Sequence, residues 1–410
     1  MALTGAVTLA LAGCGAKTES AAAGAASAGS TKSSCLDTSG STVKIGFLDS
    51  LSGTMAISEK TVNDALNLAA KQINAAGGVL GKQLQVVTED GASEPTIFAE
   101  KAKKLISADC VAAVFGGWTS ASRKAMLPVF ESSNALLYYP VQYEGLEASK
   151  NIFYTGATTN QQIVPALEYL KEQGKTSLFL VGSDYVFPRT ANKIIKAYAA
   201  ANGMKVLGEE YAPLGSTDFA TIVGKVKSAG ASAVFNTLNG DSNVAFFKEY
   251  TNIGLTAARM PVVSVSIAEE EVGGIGAQNI TGQLTAWNYY QTVASPANAT
   301  FVAAFKAAYG AKRVTSDPME AAYTSLYLWK ATVEKAKSFA VPAVQAAAGG
   351  VSFDAPEGTV TVNGENHHIA KTALIGKIGA DGLIHTVWSS GKPIEPDPFL
   401  TTYDWGKSLS

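Results

Sequence analysis

Histidine and cysteine are scarce, with three of each in 410 residues. There is no CxxC, and two of the histidines, His367 and His368, are adjacent. Neighbours in a strand point to opposite faces, so they do not make a zinc site. No metal is expected, and the pair is read as part of a solvated hairpin after Asn363-Gly364. An excess of charge of one sign is also missing: 32 basic residues face 34 acidic ones, for a net −2. No basic run extends beyond Lys103-Lys104, which removes the electrostatic reason to expect nucleic acid or an anionic membrane surface as partner. No stretch of about eighteen apolar residues occurs to span a bilayer. The nucleophile elbow GxSxG, the metalloprotease HExxH and the EF-hand loop are absent. Gly174-Lys175-Thr176 fits only the end of a P-loop, because Tyr169 stands where the first glycine belongs and the strand follows instead of preceding. Asp184, Glu269 and Glu270 have acid–base chemistry, but no nucleophile is paired with a histidine. An enzyme is not expected, and neither is a cofactor.

What is present is ordinary for an α/β protein: 47% apolar residues, 16% charged and 39 glycines. The length allows two or three cores. The first fourteen residues differ in kind. Ala2 to Ala12 form a short apolar run closed by Leu11-Ala12-Gly13-Cys14, which resembles a bacterial lipobox with Cys14 as the acylated residue, although the usual positive stretch before the run is missing. Gly15 to Ser41 is nearly all Ala, Gly, Ser and Thr, with only Lys17, Glu19, Lys32 and Asp37 charged. Such a segment buries too little to fold and reads as a tether. Cys35 and Cys110 are either a disulfide of an oxidising compartment or two unpaired thiols.

From Val43 the chain alternates short apolar runs with helical spacing. Strands are expected at Val43–Leu48, Leu84–Val87, Val111–Phe115 and Ala135–Tyr138, with helices between them. The rhythm restarts with a helix at Ile163–Leu170, then strands at Ser177–Val181, Lys205–Leu207, Ala233–Phe235 and Val262–Val265. Two such units predict an α/β fold of two Rossmann-like doubly wound lobes, each a parallel sheet covered on both faces. After Trp287 come helices, then a β-rich tail with a turn at Asp381-Gly382. The expected layout is a signal and lipobox over residues 1–14, a tether over 15–41, one lobe from 42–157 plus 288–350, and the other from 158–287 plus 351–400. Three crossings between lobes would make a hinge beside a cleft.

Ligands of doubly wound sheets bind beyond the C-terminal strand ends. In the first lobe those ends run into Gly116-Gly117-Trp118-Thr119-Ser120 and Tyr138-Tyr139-Pro140-Val141-Gln142. In the second they run into Gly182-Ser183-Asp184-Tyr185, Asn236-Thr237-Leu238-Asn239-Gly240-Asp241 and Ser266-Ile267-Ala268-Glu269-Glu270-Glu271. Each has an ordinary alternative. Thr119, Ser120 and Asp241 suit helix caps, the aromatics suit packing, and the glutamate run suits a solvated helix start with one member turned to the cleft. Lys60, Arg123 and Arg189 suit the surface. What favours a site is that polar and aromatic clusters hold the same topological position in both halves.

The segments GGWTSASRKAMLPVFE (Gly116–Glu131), YYPVQYEGLE (Tyr138–Glu147), GSDYVFPRTANK (Gly182–Lys193), NTLNGDSNVAFFKEY (Asn236–Tyr250), SVSIAEEEV (Ser264–Val272), DPMEAAY (Asp317–Tyr323) and FDAPEG (Phe353–Gly358) resemble the urea-binding subunit of bacterial urea ABC transporters. That group lies within the type I periplasmic binding proteins and is related to the amide sensor of aliphatic amidase regulation. The resemblance covers nearly everything from Val43 to Phe399. The amide sensor has Tyr where Trp118 and Phe187 stand, so its acetamide preference does not transfer.

The resemblance implies an extracytoplasmic protein, lipid-anchored in the periplasm or on the outer face of the membrane. It would capture urea or a related short amide and hand it to ABC permease subunits, with the membrane touched only through the anchor. Urea needs several coplanar acceptors, a donor for its oxygen and flat walls. Asp184, Glu270, Gln142, Asn239 and Asp241 are the candidate acceptors, Ser120 and Tyr185 the donors, and Trp118 and Tyr139 the walls beside Thr119. A branched-chain or other amino-acid binder, and an amide-sensing regulator, are the alternatives on the same fold.

Overall fold

The computed structural model describes residues 35–409. The lipobox, Cys14 and the tether as far as residue 34 lie outside the described residues. Where β-branched and aromatic residues are buried on both faces, short parallel strands form; where Val62, Leu66, Ala69 and Ile73 recur at helical spacing, a helix covers them.

The first lobe opens with β1 (Thr42–Asp49), α1 (Ala56–Ala75), β2 (Gln83–Asp90), α2 (Pro95–Ser107), β3 (Val114–Gly116), α3 (Ser120–Ser133), β4 (Leu137–Tyr139) and β5 (Ile152–Tyr154). The chain crosses and continues with α4 (Ile163–Glu172), β6 (Ser177–Ser183), α5 (Val186–Ala201), β7 (Lys205–Ala212), α6 (Ala220–Ala229) and β8 (Ala233–Thr237). Then come α7 (Ser242–Asn252), β9 (Val262–Ser264), α8 (Glu269–Ile275), α9 (Ala277–Ile280) and β10 (Leu284–Trp287). The remainder is α10 (Pro296–Tyr309), α11 (Asp317–Ala336), α12 (Val341–Ala347), β11 (Ser352–Ala355), β12 (Gly358–Thr361), β13 (Lys371–Ile378) and β14 (Ile384–Ile394).

The first sheet has the order β2-β1-β3-β4-β5, all parallel. The second runs β14-β13-β10-β9-β8-β6-β7. Its five parallel strands, β7-β6-β8-β9-β10, repeat the order of the first sheet, and β13 and β14 add antiparallel edges. These are the two doubly wound lobes, and in both the strand order reverses beside the first strand, where a crevice forms.

Phe301, Phe305, Trp329 and Val344 bring α10 to α12 into the core of the first sheet. Ala355, Val360, Val362 and Ile369 join the same core, so the hairpin β11–β12 packs with the first lobe, and only β13 and β14 extend the second sheet. The tail from 351 was expected in the second lobe. Its apolar face instead covers α11, through contacts such as Tyr327 stacked on Phe353 at 4.8 Å. Cys35 and Cys110 form a disulfide with Cα atoms 5.3 Å apart. That fastens residues 35–41, counted with the tether, beside the entry to β3.

Candidate functional site

The first-lobe rim is set by close backbone packing. A Cβ on Gly116 would fall 2.5 Å from both Asp49 Oδ1 and the Leu48 carbonyl, so only glycine lets β3 end there. Gly117 N donates to Leu48 O at 2.8 Å and faces Asp49 Oδ1 at 3.3 Å. Trp118 is buried, and its carbonyl accepts the Tyr139 hydroxyl. Thr119 is a helix cap, its hydroxyl accepting Ser122 N at 3.1 Å.

Ser120 is not free to donate to a ligand. Its hydroxyl donates to Glu144 and accepts Arg123 Nη1 at 3.0 Å. Arg123, read as a surface residue, is instead 0% exposed. Its Nε donates to Glu147 at 2.8 Å and its Nη2 to Glu144 at 3.1 Å, while the guanidinium lies 4.5 Å over the Tyr143 ring and 5.1 Å over Tyr139. A lone arginine in a polar segment looks like surface; the two glutamates of YEGLE that neutralise it arrive from another element. Burial alone would raise the Glu147 carboxyl, but Arg123 and Lys124 hold it down at about 2.

The histidines are a second correction. His368 is buried and stacked on Tyr154 at 4.2 Å, with Nε2 2.6 Å from the Tyr143 hydroxyl and Nδ1 2.8 Å from Asn366 O. His367 stacks on Phe153 at 4.3 Å. Burial pushes His368 down to about 3, so it is a neutral ring wedged between tyrosines and not a solvated one. Among the described residues no group of His, Cys, Asp and Glu is arranged to hold a metal.

In the second lobe Asp184 points outward. Its side chain is 45% exposed and paired with Arg189 of the following helix at 2.6 Å, which removes it from the cleft acceptors. Tyr185, next in sequence, turns inward: burial first, then Tyr139 and Glu144 of the other lobe, push its phenol well above the usual range. Asn239 is buried, its N–H on Ser183 Oγ at 3.1 Å and its Nδ2 on Thr237 O at 3.1 Å. Asn236 and Asn243 wire the rest of this loop to itself, at 3.0 Å from Nδ2 to Oδ1.

The lobes meet directly. Gln142 Nε2 reaches across to Val265 O at 2.8 Å and Ser266 Oγ at 3.0 Å, leaving its buried Oε1 without a partner. Thr54 donates to Asp241, Ser58 to Glu271, and Thr61 to Glu270 at 3.0 Å, where Ser316 also donates at 2.7 Å. Gly240 lies so close to Thr54 O that an added Cβ would sit 2.9 Å away. The glutamate run is therefore not solvated: Glu269 and Glu271 are buried and Glu270 is held by two hydroxyls. Thr54, Ser58, Glu59 and Thr61 were not anticipated. They lie just before and within the first turns of α1, which follows β1.

The model of the periplasmic binding protein domain matches residues 43–404. The chain belongs to the periplasmic binding protein family. Among curated relatives, a protein of Brucella melitensis named Leu/Ile/Val-binding protein homolog 6 is 25% identical over 344 residues, covering 82% of this chain and 87% of that one. A solute-binding protein of an ABC transporter from Rhodopseudomonas palustris HaA2, solved with p-hydroxybenzoic acid, superposes with TM-score 0.79 at 25% identity, over 88% of this chain and 100% of that one. A branched-chain amino acid transporter substrate-binding protein from Streptococcus pneumoniae, solved with isoleucine, gives TM-score 0.76 at 22% identity, over 87% and 100%. The family is one of binding proteins, not enzymes.

In this periplasmic binding protein the three crossings converge on one buried cluster. Lys371 Nζ, on the third, donates to Thr155 O on the first at 3.0 Å and to Glu357 at 2.7 Å. Asn288 N, on the second, donates to Asp317 Oδ2 at 2.9 Å. Asp317 and Glu320 belong to DPMEAAY and Glu357 to FDAPEG, so those segments build the hinge. Among the described residues no helix is long and apolar enough to cross a membrane.

Proposed function

We propose that this chain captures a small, neutral, planar amide between its lobes, urea above all, and delivers it to the permease of an ABC transporter. The observation that carries the reading is charge bookkeeping in the interior. Two cations are buried among the described residues, Arg123 and Lys371, and both are paired, with Glu144 and Glu147 and with Glu357. No buried cation is left for a ligand carboxylate, while Gln142 Oε1 is a buried acceptor without a donor. Trp118 and Tyr139 supply the wall, Gln142, Tyr185, Asn239 and Glu270 the polar partners. A ligand of few atoms suits rims that already touch through Gln142, Thr54, Ser58 and Thr61. At a ceiling of about −1.5 kcal/mol per heavy atom, urea's four yield roughly −6 kcal/mol, a dissociation constant of some tens of micromolar.

A second reading is an amino acid. It is favoured by the names of the Brucella and pneumococcal relatives, and the free N–H groups that open α3 suit a carboxylate, with Glu270 opposite for the ammonium. Calorimetry with urea, acetamide, leucine and 4-hydroxybenzoate separates the two. Urea is expected to bind with leucine silent; leucine binding without urea refutes the amide reading. The lipobox at Cys14 completes the proposal with an anchor to the outer face of the membrane, and the disulfide fits an oxidising compartment. Labelling by radioactive palmitate, lost in Cys14→Ser, tests it.

A further inference from the structure

We infer that Glu59 reads the N–H edge of the ligand and so sets the preference for urea over molecules of the same shape that carry methyl groups or a carboxylate. The inference rests on the amide reading and assigns it a residue. Glu59 lies in the first turn of α1, the stretch of the first lobe that the second lobe touches through Thr54, Ser58 and Thr61, and through Ile57 against Gly274. Its side chain is buried. Oε2 accepts Ser50 N at 2.6 Å, the Ser50 hydroxyl also lies against the carboxylate, and Oε1 is the oxygen that no protein donor reaches in good geometry.

The surroundings make that orphan oxygen unfavourable without a visitor. The titratable neighbours are Asp49 from β1 and Asp90 from β2, both acids, and across the cleft the neutral Tyr185 phenol. Burial first, and then Asp49, push Glu59 well above the usual carboxylate range. Protonation does not repair the site, since a hydroxyl at Oε1 would want an acceptor where the anion wants a donor. A urea N–H donating to Oε1 satisfies the atom and, being charge-assisted, favours the anion. A carboxylate ligand at the same place would lie beside three acids, Glu59, Asp49 and Asp90, which disfavour a further negative charge.

Urea, acetamide and acetone are planar, have four heavy atoms each, and differ by replacing one or both amino groups with methyls. In calorimetry the wild-type protein is expected to bind them in that order. Glu59→Gln keeps an oxygen for Ser50 N but presents an amide donor to the ligand. It should weaken urea at least tenfold, the scale of a lost hydrogen bond to a charged group, while leaving the weak response to acetone unchanged. Equal affinity of E59Q and wild type for urea, or equal loss on urea and acetone, overturns the assignment. If E59Q does not melt cooperatively, Glu59→Asp, which keeps the charge and withdraws the oxygen by one methylene, must show the same selective loss. Wild-type protein that binds leucine and not urea refutes the amide reading itself, before any substitution.

Discussion

Replacing Arg123 by methionine tests whether the QYEGLE segment is structural wiring. The side chain is fully buried, donates to Ser120, Glu144 and Glu147, and stacks between Tyr139 and Tyr143. Methionine keeps an unbranched apolar stem and removes the charge, so two carboxylates stay buried with Lys124 as the cation left at their edge. Breaking a buried pair from one side costs about 3–5 kcal/mol. A second route gives a similar size. Glu147 sits at about 2 against an ordinary 4.5, and that gap, at roughly 1.4 kcal/mol per pH unit, corresponds to about 3 kcal/mol. Because the folded carboxyl is depressed, the native state binds fewer protons than the unfolded one. The contribution is therefore fully present above about pH 4.5 and disappears as pH falls through about 2. Guanidinium chloride unfolding at pH 7.5 should show R123M less stable by about 3–5 kcal/mol. Repeated at pH 4, 3 and 2.5, the wild type should lose stability toward the variant. A deficit below about 1 kcal/mol at pH 7.5, the value of an exposed pair, or one that does not shrink with acid, refutes the reasoning.

Lys371→Met should destabilise by a comparable 3 kcal/mol or more, and it should loosen the hinge, seen as a larger radius of gyration by small-angle scattering. Gly240→Val places a side chain where an added Cβ already meets Thr54 O at 2.9 Å; ligand affinity should fall well over tenfold, with scattering showing lobes that no longer compact on ligand addition. Cys110→Ala opens a loop of 75 residues, worth about 4.5 kcal/mol on the chain-entropy account, read as a lower melting temperature that reductant reproduces in the wild type and not in the variant.

The alternation of apolar strands and periodic helices was enough for the two-lobed architecture, because buried parallel strands have little compositional freedom. Two short strands escaped: β5 at Ile152–Tyr154 is too short for any period to register, and β10 at Leu284–Trp287 carries a buried Thr285 in an otherwise apolar run. The alternation in the hairpin β11–β12 reports only that one face is buried, not what buries it, so its place in the first core is visible only in the structure. Cys35 and Cys110 could not be paired or left unpaired from spacing, because pairing depends on a distance that 75 intervening residues do not reveal.

Where polar groups gather was legible and what they hold was not, and the reason is the same for each residue. Strand ends collect polar side chains whether those groups hold a ligand or hold one another. Ser120, Thr119 and the Tyr139 hydroxyl are consumed by Glu144, Ser122 and the Trp118 carbonyl, and Asp184 by Arg189. The two segments with the most distinctive sequences outside the rims, DPMEAAY and FDAPEG, meet at Lys371 in the hinge. Distinctive polar sequence thus marks where charges must be buried and matched, which needs several fixed partners at once. A ligand contact needs the opposite, an atom left without a protein partner. Sequence shows which groups a residue carries but not which of them stay unspent, so Gln142 Oε1 and Glu59 Oε1 emerge only once every other bond is drawn.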